Sequence, residues 1–266
     1  MLDNVLDGAK ELLVDTISAL DRASVRDYMV IGGWCPYLRN RSGIPHPGTL
    51  DVDILFKRGE CEGSLRPAID ALRQAGFILS AKHSFQLLRE KAVRGERLIY
   101  NVDLLHPSMN DTHPGTFADH LDLDVPLDEE ERRVKKVTSI VLPNSAVLFQ
   151  ENLSSKFTEW GITFDLVDFT GMFITKMDSC QKQKRERDAF DLFVALKSDQ
   201  IDFPAIARIR KGNSRVNKSL NLLSEYMENH GATFDENVAK FAAGFMSPTE
   251  SPADALQQAI RATHLS

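Results

Sequence analysis

Cysteine is scarce in this chain: Cys35, Cys61 and Cys180 are the only three in 266 residues. An odd, widely spaced set with no Cys-x-x-Cys pair excludes a disulfide scaffold and a structural zinc knuckle, and it points to a reducing compartment. Long apolar runs are missing as well, so no segment reads as a membrane span. The N-terminal stretch MLDNVLDGAKELLVDTISALDRA lacks the basic start and apolar run of a secretory signal; its spaced leucines and early acids read as an amphipathic helix. The expected location is therefore the cytoplasm, with no membrane partner. A basic excess is also lacking, since 32 Lys and Arg stand against 38 Asp and Glu for a formal net charge of -6. That balance excludes a uniformly basic nucleic-acid coat. Internal repeats and low-complexity segments are absent.

What remains is an ordinary globular composition, 42% hydrophobic and 26% charged, with ample material for a core. The length permits one large domain or two modest ones. Helical spacing of apolar residues runs from Val5 to Leu20, followed by a short β-type run from Tyr28 to Ile31 that ends in Gly32-Gly33. The next segment, from Trp34, reads as a helix start with Pro36 in its first turn. A Gly- and Pro-rich loop over 42–48 leads to a strand over 49–56, then a helix over 65–75. Strands are predicted at 77–80, 84–91, 97–105 and 132–142. The stretch 106–131 reads as an acidic loop, with Asp111, Asp119, Asp122, Asp124, Asp128 and Glu129 to Glu131 and no Lys or Arg. Beyond residue 143 helices are predicted at 144–151, 166–180, 184–198, 202–211, 214–230, 234–246 and 252–263. The expected architecture is α/β of the α+β kind, with a mixed sheet and flanking helices over 1–143 and a helical bundle over 144–266.

Chemistry gathers first at Asp51-Val52-Asp53. Residues two apart on a strand face the same side, so the two carboxylates would stand together while Val52 and Ile54 enter the core. An isolated Asp-x-Asp is ordinarily a solvated pair. Here the strand is otherwise apolar (Leu50, Val52, Ile54, Leu55, Phe56) and follows a glycine turn. Like charges so close repel by a few kcal/mol at surface-like dielectric. A divalent, oxygen-preferring ion relieves that repulsion, and Mg²⁺ typically takes one or two carboxylates plus substrate phosphates. Gly32 and Gly33 would let a phosphate chain approach the backbone, with amides of the following helix start as donors. Asp103, in Tyr100-Asn101-Val102-Asp103-Leu104-Leu105, is another acid inside an apolar strand. Beside the first pair it would complete a triad that ligates metal or accepts a proton from an attacking hydroxyl.

A third group is helical. Lys176 sits among apolar neighbours in Phe173-Ile174-Thr175-Lys176, and Asp188 and Asp191 are three apart and share a helix face. Lys184 with Asp188, and Arg187 with Asp191, have i,i+4 spacing and would serve equally as surface pairs. Lys176 is not explained that way; a cation there would neutralise triphosphate charge and assist a leaving pyrophosphate. His46 precedes the carboxylate pair by a few residues and reads as a loop bystander, with a reach into the site as the alternative. Trp34 reads as packing under the glycine turn, with stacking on a base as the alternative.

In the order Gly-Gly-Trp, Asp-Val-Asp, Val-Asp-Leu-Leu, Lys, and Arg-x-Arg-Asp-x-x-Asp-Leu, residues 28–196 resemble the AbiEii/AbiGii toxin family of the nucleotidyltransferase superfamily, whose members include toxins of abortive-infection and type IV-like toxin–antitoxin systems. The resemblance implies a catalytic set of Asp51, Asp53, Asp103, Lys176 and Asp188. It implies metal ligation by Asp51, Asp53 and Asp103, and nucleotide contacts from Gly32, Gly33, Lys176 and Arg187. The implied cofactor is Mg²⁺ or Mn²⁺, with an NTP as co-substrate. The implied reaction moves a nucleoside monophosphate to a hydroxyl, with an RNA acceptor such as a tRNA 3′ end, and a cognate antitoxin protein as partner. The usual Gly-Ser of the superfamily's first motif is Gly33-Trp34 here, which also occurs in antibiotic nucleotidyltransferases. An aminoglycoside- or lincosamide-modifying enzyme is thus the alternative within the enzyme class. A degenerate member that only binds nucleotide or a partner is the alternative outside it. The acid-free run of Arg208, Arg210, Lys211, Arg215 and Lys218 is equally a phosphate-tracking stripe or a solvated helix face.

Overall fold

The computed structural model describes residues 4–57, 65–107, 118–122, 136–242, 244–247 and 250–265. The chain divides into two compact units: Met1–Trp34 with Gly48–Leu166, and Cys35–Pro47 with Val167–Ser266.

In the first unit α1 (Val5–Arg22) starts at Asn4, whose side chain accepts the Asp7 amide, and it buries Ala9, Leu12, Leu13, Ile17 and Leu20 along one face. Each buried Leu or Ile of that stripe contributes about 1.5–3 kcal/mol. The strands are β1 (Tyr28–Ile31), β2 (Asp51–Phe56), β3 (Ile78–Leu79), β4 (Gln86–Val93), β5 (Glu96–Pro107), β6 (Ala118–Asp122), β7 (Lys136–Leu142), β8 (Ser154–Glu159) and β9 (Ile162–Val167). The helices between them are α2 (Trp34–Leu38), which begins at the edge of this unit, α3 (Leu65–Gln74) and α4 (Ala146–Gln150). The strands form one mixed sheet in the order β3-β4-β5-β2-β1-β9-β8, with β7 also paired to β5 and β6 paired to β7. β2 runs antiparallel to β1 and parallel to β5. This is the mixed α/β class that the sequence leads one to expect.

α1 packs on α3 and on β2, β4 and β5. Its approach to β5 is tight: Tyr100 donates from its hydroxyl to the Val5 carbonyl at 2.8 Å, and the ring abuts Gly8. The helix therefore covers the sheet face that carries Tyr100, and by alternation Val52, Ile54, Val102 and Leu104, all buried. The other face of the same strands carries Asp51, Asp53, Asn101 and Asp103.

The second unit holds α5 (Phe169–Lys176), α6 (Glu186–Lys197), α7 (Phe203–Gly212), α8 (Ser214–Ala242) and α9 (Pro252–Leu265). Asp188 through Ala195 of α6 are all buried, because α5, α8 and α9 all pack against it. Asp202 caps α7 by accepting the Ala205 amide at 2.8 Å. Asp235 of α8 accepts both the Ala253 amide at 2.7 Å and the Ser251 hydroxyl at 2.9 Å, tying down the start of α9.

Four differences from the expected layout matter. The stretch after residue 143 is not wholly helical: β8 and β9 form a hairpin that joins the sheet, so the mixed α/β unit continues to Leu166. The loop Cys35–Pro47 belongs with the helices. β6 lies inside the acidic stretch expected to be loop, paired antiparallel with β7; most of that stretch, and Cys61, lie outside the described residues. The two helices expected at 214–230 and 234–246 are one element that breaks its helical geometry at His230.

Candidate active site

Two polar clusters arise, one in each unit. The first is the carboxylate row. β2 and β5 pair in register, Asp51 beside Asn101 and Asp53 beside Asp103. Asp51, Asp53 and Asp103 are each half-buried; Asp53 and Asp103 stand between buried neighbours, and Asp51 between exposed Leu50 and buried Val52. The expected convergence of Asp103 with the Asp51–Asp53 pair is thus present. Thr49 donates from its hydroxyl to Asp51 Oδ1. Asn101 Nδ2 donates to Asp103 Oδ1 at 2.7 Å. Burial pushes the Asp103 carboxyl above the ordinary carboxylate range; the Asn101 hydrogen bond opposes this, the Asp51 charge adds to it, and Gln86 and His83 partly offset it.

The glycine turn meets this row. Ile31 at the end of β1 pairs with Asp53, and Gly32 follows with φ +71°, a region that favours glycine. A side chain at Gly32 would strike the Asp53 carboxylate. Trp34 is fully buried and its indole N–H donates to the Asp51 carbonyl at 2.8 Å. An edge contact with Trp160 completes its surroundings, at 6.0 Å between centroids. Trp34 therefore packs under the turn, and its burial leaves no face for a base.

The donor set on this face is oxygen, which suits Mg²⁺ or Mn²⁺ over zinc. Among the described residues, however, no three of His, Cys, Asp and Glu are gathered closely enough to hold a metal by themselves. An ion on this face would need ligands from outside the chain in addition to these carboxylates.

The second cluster lies in the helical unit. Lys176 at the end of α5 reaches Asp188 Oδ1 at 2.5 Å and Asp191 Oδ2 at 2.7 Å. Asp191 Oδ1 meets His46 Nε2 at 2.9 Å, with both side chains 1% exposed. The His46 ring stacks on Phe190 at 5.5 Å. Arg187 approaches Asp191 Oδ1 at 3.9 Å. Burial alone would raise the Asp191 pKa, but the Lys176 charge and the His46 hydrogen bond outweigh it and hold it at about 2. Burial would likewise lower the Lys176 pKa, yet the two carboxylates outweigh that and keep the ammonium charged.

The sequence reading placed Asp188 and Asp191 on one face, and they are. Asp188 pairs with Lys176 rather than with Lys184, which is exposed. The position of Lys176 among apolar residues is explained by two buried carboxylates that need a counter-ion. His46 was not legible as a partner: Asp191 is 145 residues away, and no local spacing joins them. In the basic run, Arg210 donates to Asn217 Oδ1 at 3.0 and 2.7 Å, while Arg208, Lys211 and Lys218 are exposed.

No protein-family model and no curated protein sequence matches the chain. Its structure is similar to the crystal structure of an antigenic nucleotidyltransferase-like protein from Paracoccidioides brasiliensis, at 14% identity and a TM-score of 0.43 over 92% of this chain and 98% of that one. A likeness at that level carries no activity across, and the chemistry of the site must come from its own residues. Among the described residues no helix is long and apolar enough to cross a membrane.

Proposed function

We propose that this chain is a metal-dependent nucleotidyltransferase that moves a nucleoside monophosphate from an NTP to a hydroxyl. The observation that carries the reading is the in-register row of Asp51, Asp53 and Asp103 on one sheet face beside the Gly32 turn. Asp51 and Asp53 would hold Mg²⁺ or Mn²⁺ together with phosphate oxygens of the NTP, and the ion would supply charge neutralisation at the transferred phosphate. Asp103 serves as the proton acceptor. Its raised pKa makes it a better base than an exposed carboxylate. The acceptor hydroxyl loses its proton to Asp103 as its oxygen bonds to the α-phosphorus. The bond from that phosphorus to the bridging oxygen breaks, and pyrophosphate leaves. Gly32 and Gly33 keep the backbone bare where the phosphates approach.

In this reading the Lys176–Asp188–Asp191 cluster fixes α6 within the helical unit. The acceptor proposed is RNA, in keeping with the toxin-family resemblance of the motif order, with a tRNA 3′ end as the first candidate. A cognate antitoxin would be the regulatory partner. The experiment incubates the protein with each α-labelled NTP, Mg²⁺ and total tRNA, with an aminoglycoside and lincosamide panel alongside. Label in tRNA supports the RNA acceptor, and label in an antibiotic replaces it with the small-molecule acceptor. Label in neither, for all four NTPs and with Mn²⁺ in place of Mg²⁺, contradicts transfer to these acceptors.

A further inference from the structure

We propose that the helical unit carries a second binding site, a groove between the turn preceding α6 and one face of α8, which takes a nucleoside phosphate. The groove has a volume of about 590 Å³, within the range of small-molecule sites. Tyr226, His230, Thr233 and Asn237 line it from α8. They are four, three and four residues apart, so they fall on one helix face. Such a face would ordinarily be aliphatic if it served packing; this one has a phenol, an imidazole, a hydroxyl and an amide. The opposite wall is the turn that carries Lys182 and Lys184.

Charge decides the sign of the ligand. Neither Lys182 nor Lys184 has a carboxylate partner among the described residues. The one acid in the lining, Glu186, is engaged by Lys240 at 3.5 Å. Two ammonium groups are therefore left to an incoming anion, as point charges suited to phosphate. The rings decide what accompanies that phosphate. Tyr226 and His230 pack against each other at 5.2 Å, tilted by 37°, and His230 is exposed. An exposed ring backed by a second one is a stacking platform for a base. Two backbone departures frame the groove: α8 loses helical geometry at His230, and Lys184 has φ +65°. A left-handed lysine costs of order 1 kcal/mol or more, and such residues cluster at ligand sites.

This inference does not depend on the transfer reading. Its test is a titration in EDTA, which keeps metal-dependent nucleotide binding out, at low salt. The probes are a mixture of the four nucleoside monophosphates, followed by calorimetry, and a fluorescein-labelled single-stranded RNA pentamer, followed by anisotropy. The variants are Lys182→Ala/Lys184→Gly and His230→Ala. Lys184→Gly suits the left-handed backbone, so a thermal melt unchanged or raised for that single change certifies the fold. Binding of either probe weakened tenfold or more by the double variant, and at least fivefold by His230→Ala, supports the site. Binding of the monophosphates identifies a free nucleotide as the ligand, and binding of the pentamer alone identifies an RNA strand. The Asp51→Asn variant keeps this binding even though it abolishes transfer in the reading above. Absence of binding by both probes, or a double variant that binds as tightly as wild type, overturns the site.

Discussion

Gly32 lies flush against the carboxylate of Asp53, and any side-chain carbon at Gly32 would overlap Asp53 Oδ2. The glycine turn and the carboxylate row are thus one mechanical object. Space and backbone both demand glycine, since φ at Gly32 is +71°. Gly32→Ala is expected to cost about 1–3 kcal/mol of stability and to displace Asp53, lowering transfer more than the melting temperature alone would explain. Thermal melts paired with labelled-NTP assays at a temperature where both proteins are folded check this.

Asp103 provides the second prediction. Its folded-state pKa is raised chiefly by burial, so the ionised form costs stability above the ordinary carboxylate range. Asp103→Asn relieves that cost, and the melting temperature at pH 7 should be unchanged or higher. Transfer should fall by about 10²–10⁴-fold, the range for loss of a positioned base. The wild-type rate should rise with pH as Asp103 ionises, and that limb should vanish in the variant. A variant that retains the limb removes Asp103 from the proton-transfer role.

The buried tetrad of Lys176, Asp188, Asp191 and His46 predicts a stability effect. Lys176→Met would leave two buried carboxylates without their counter-ion, and removing one partner of a buried pair costs about 3–5 kcal/mol. A chemical-denaturation curve with an unchanged midpoint would show that the tetrad does not hold this unit together.

Asp191 also sets a pH dependence. Its folded pKa is about 2, below the ordinary value of 3.8. A depressed carboxylate contributes stability that is fully present above its unfolded pKa and lost as pH falls through the folded one, so the window runs from about pH 4 down to about pH 2. Over that interval roughly 2 kcal/mol should disappear. Asp191→Asn, already destabilised at neutral pH, should show a flatter acid limb in the same melts.

Much of this was legible because the physics was local. β1 is a short apolar run, and β2 and the second half of β5 are apolar runs interrupted by Asp51, Asp53 and Asp103, so strand type and facing could be read directly, and the register then brought Asp53 beside Asp103. The helices α5, α6, α7 and α9 follow apolar periodicity and appear within a few residues of their expected bounds, whereas α8 continues through the break expected between two helices. The β8–β9 hairpin was not legible. Its turn is Trp160-Gly161 with φ +46° and +77°, a left-handed pair normally signalled by Asn-Gly or Asp-Gly, and β8 has no buried position to impose alternation. The role of His46 was hidden for a different reason: a contact across 145 residues is set by tertiary packing alone.

The central claim is that Asp51 and Asp53 form the reacting carboxylate pair of a nucleotidyltransferase. The most direct measurement compares wild type with Asp51→Asn and Asp53→Asn for transfer of an α-labelled nucleotide to acceptor, with Mg²⁺ present and with EDTA added. The account predicts transfer by wild type that EDTA abolishes, and a loss of at least about a hundredfold in each variant with the folded state retained. Transfer that survives both substitutions, or that is indifferent to EDTA, would contradict it.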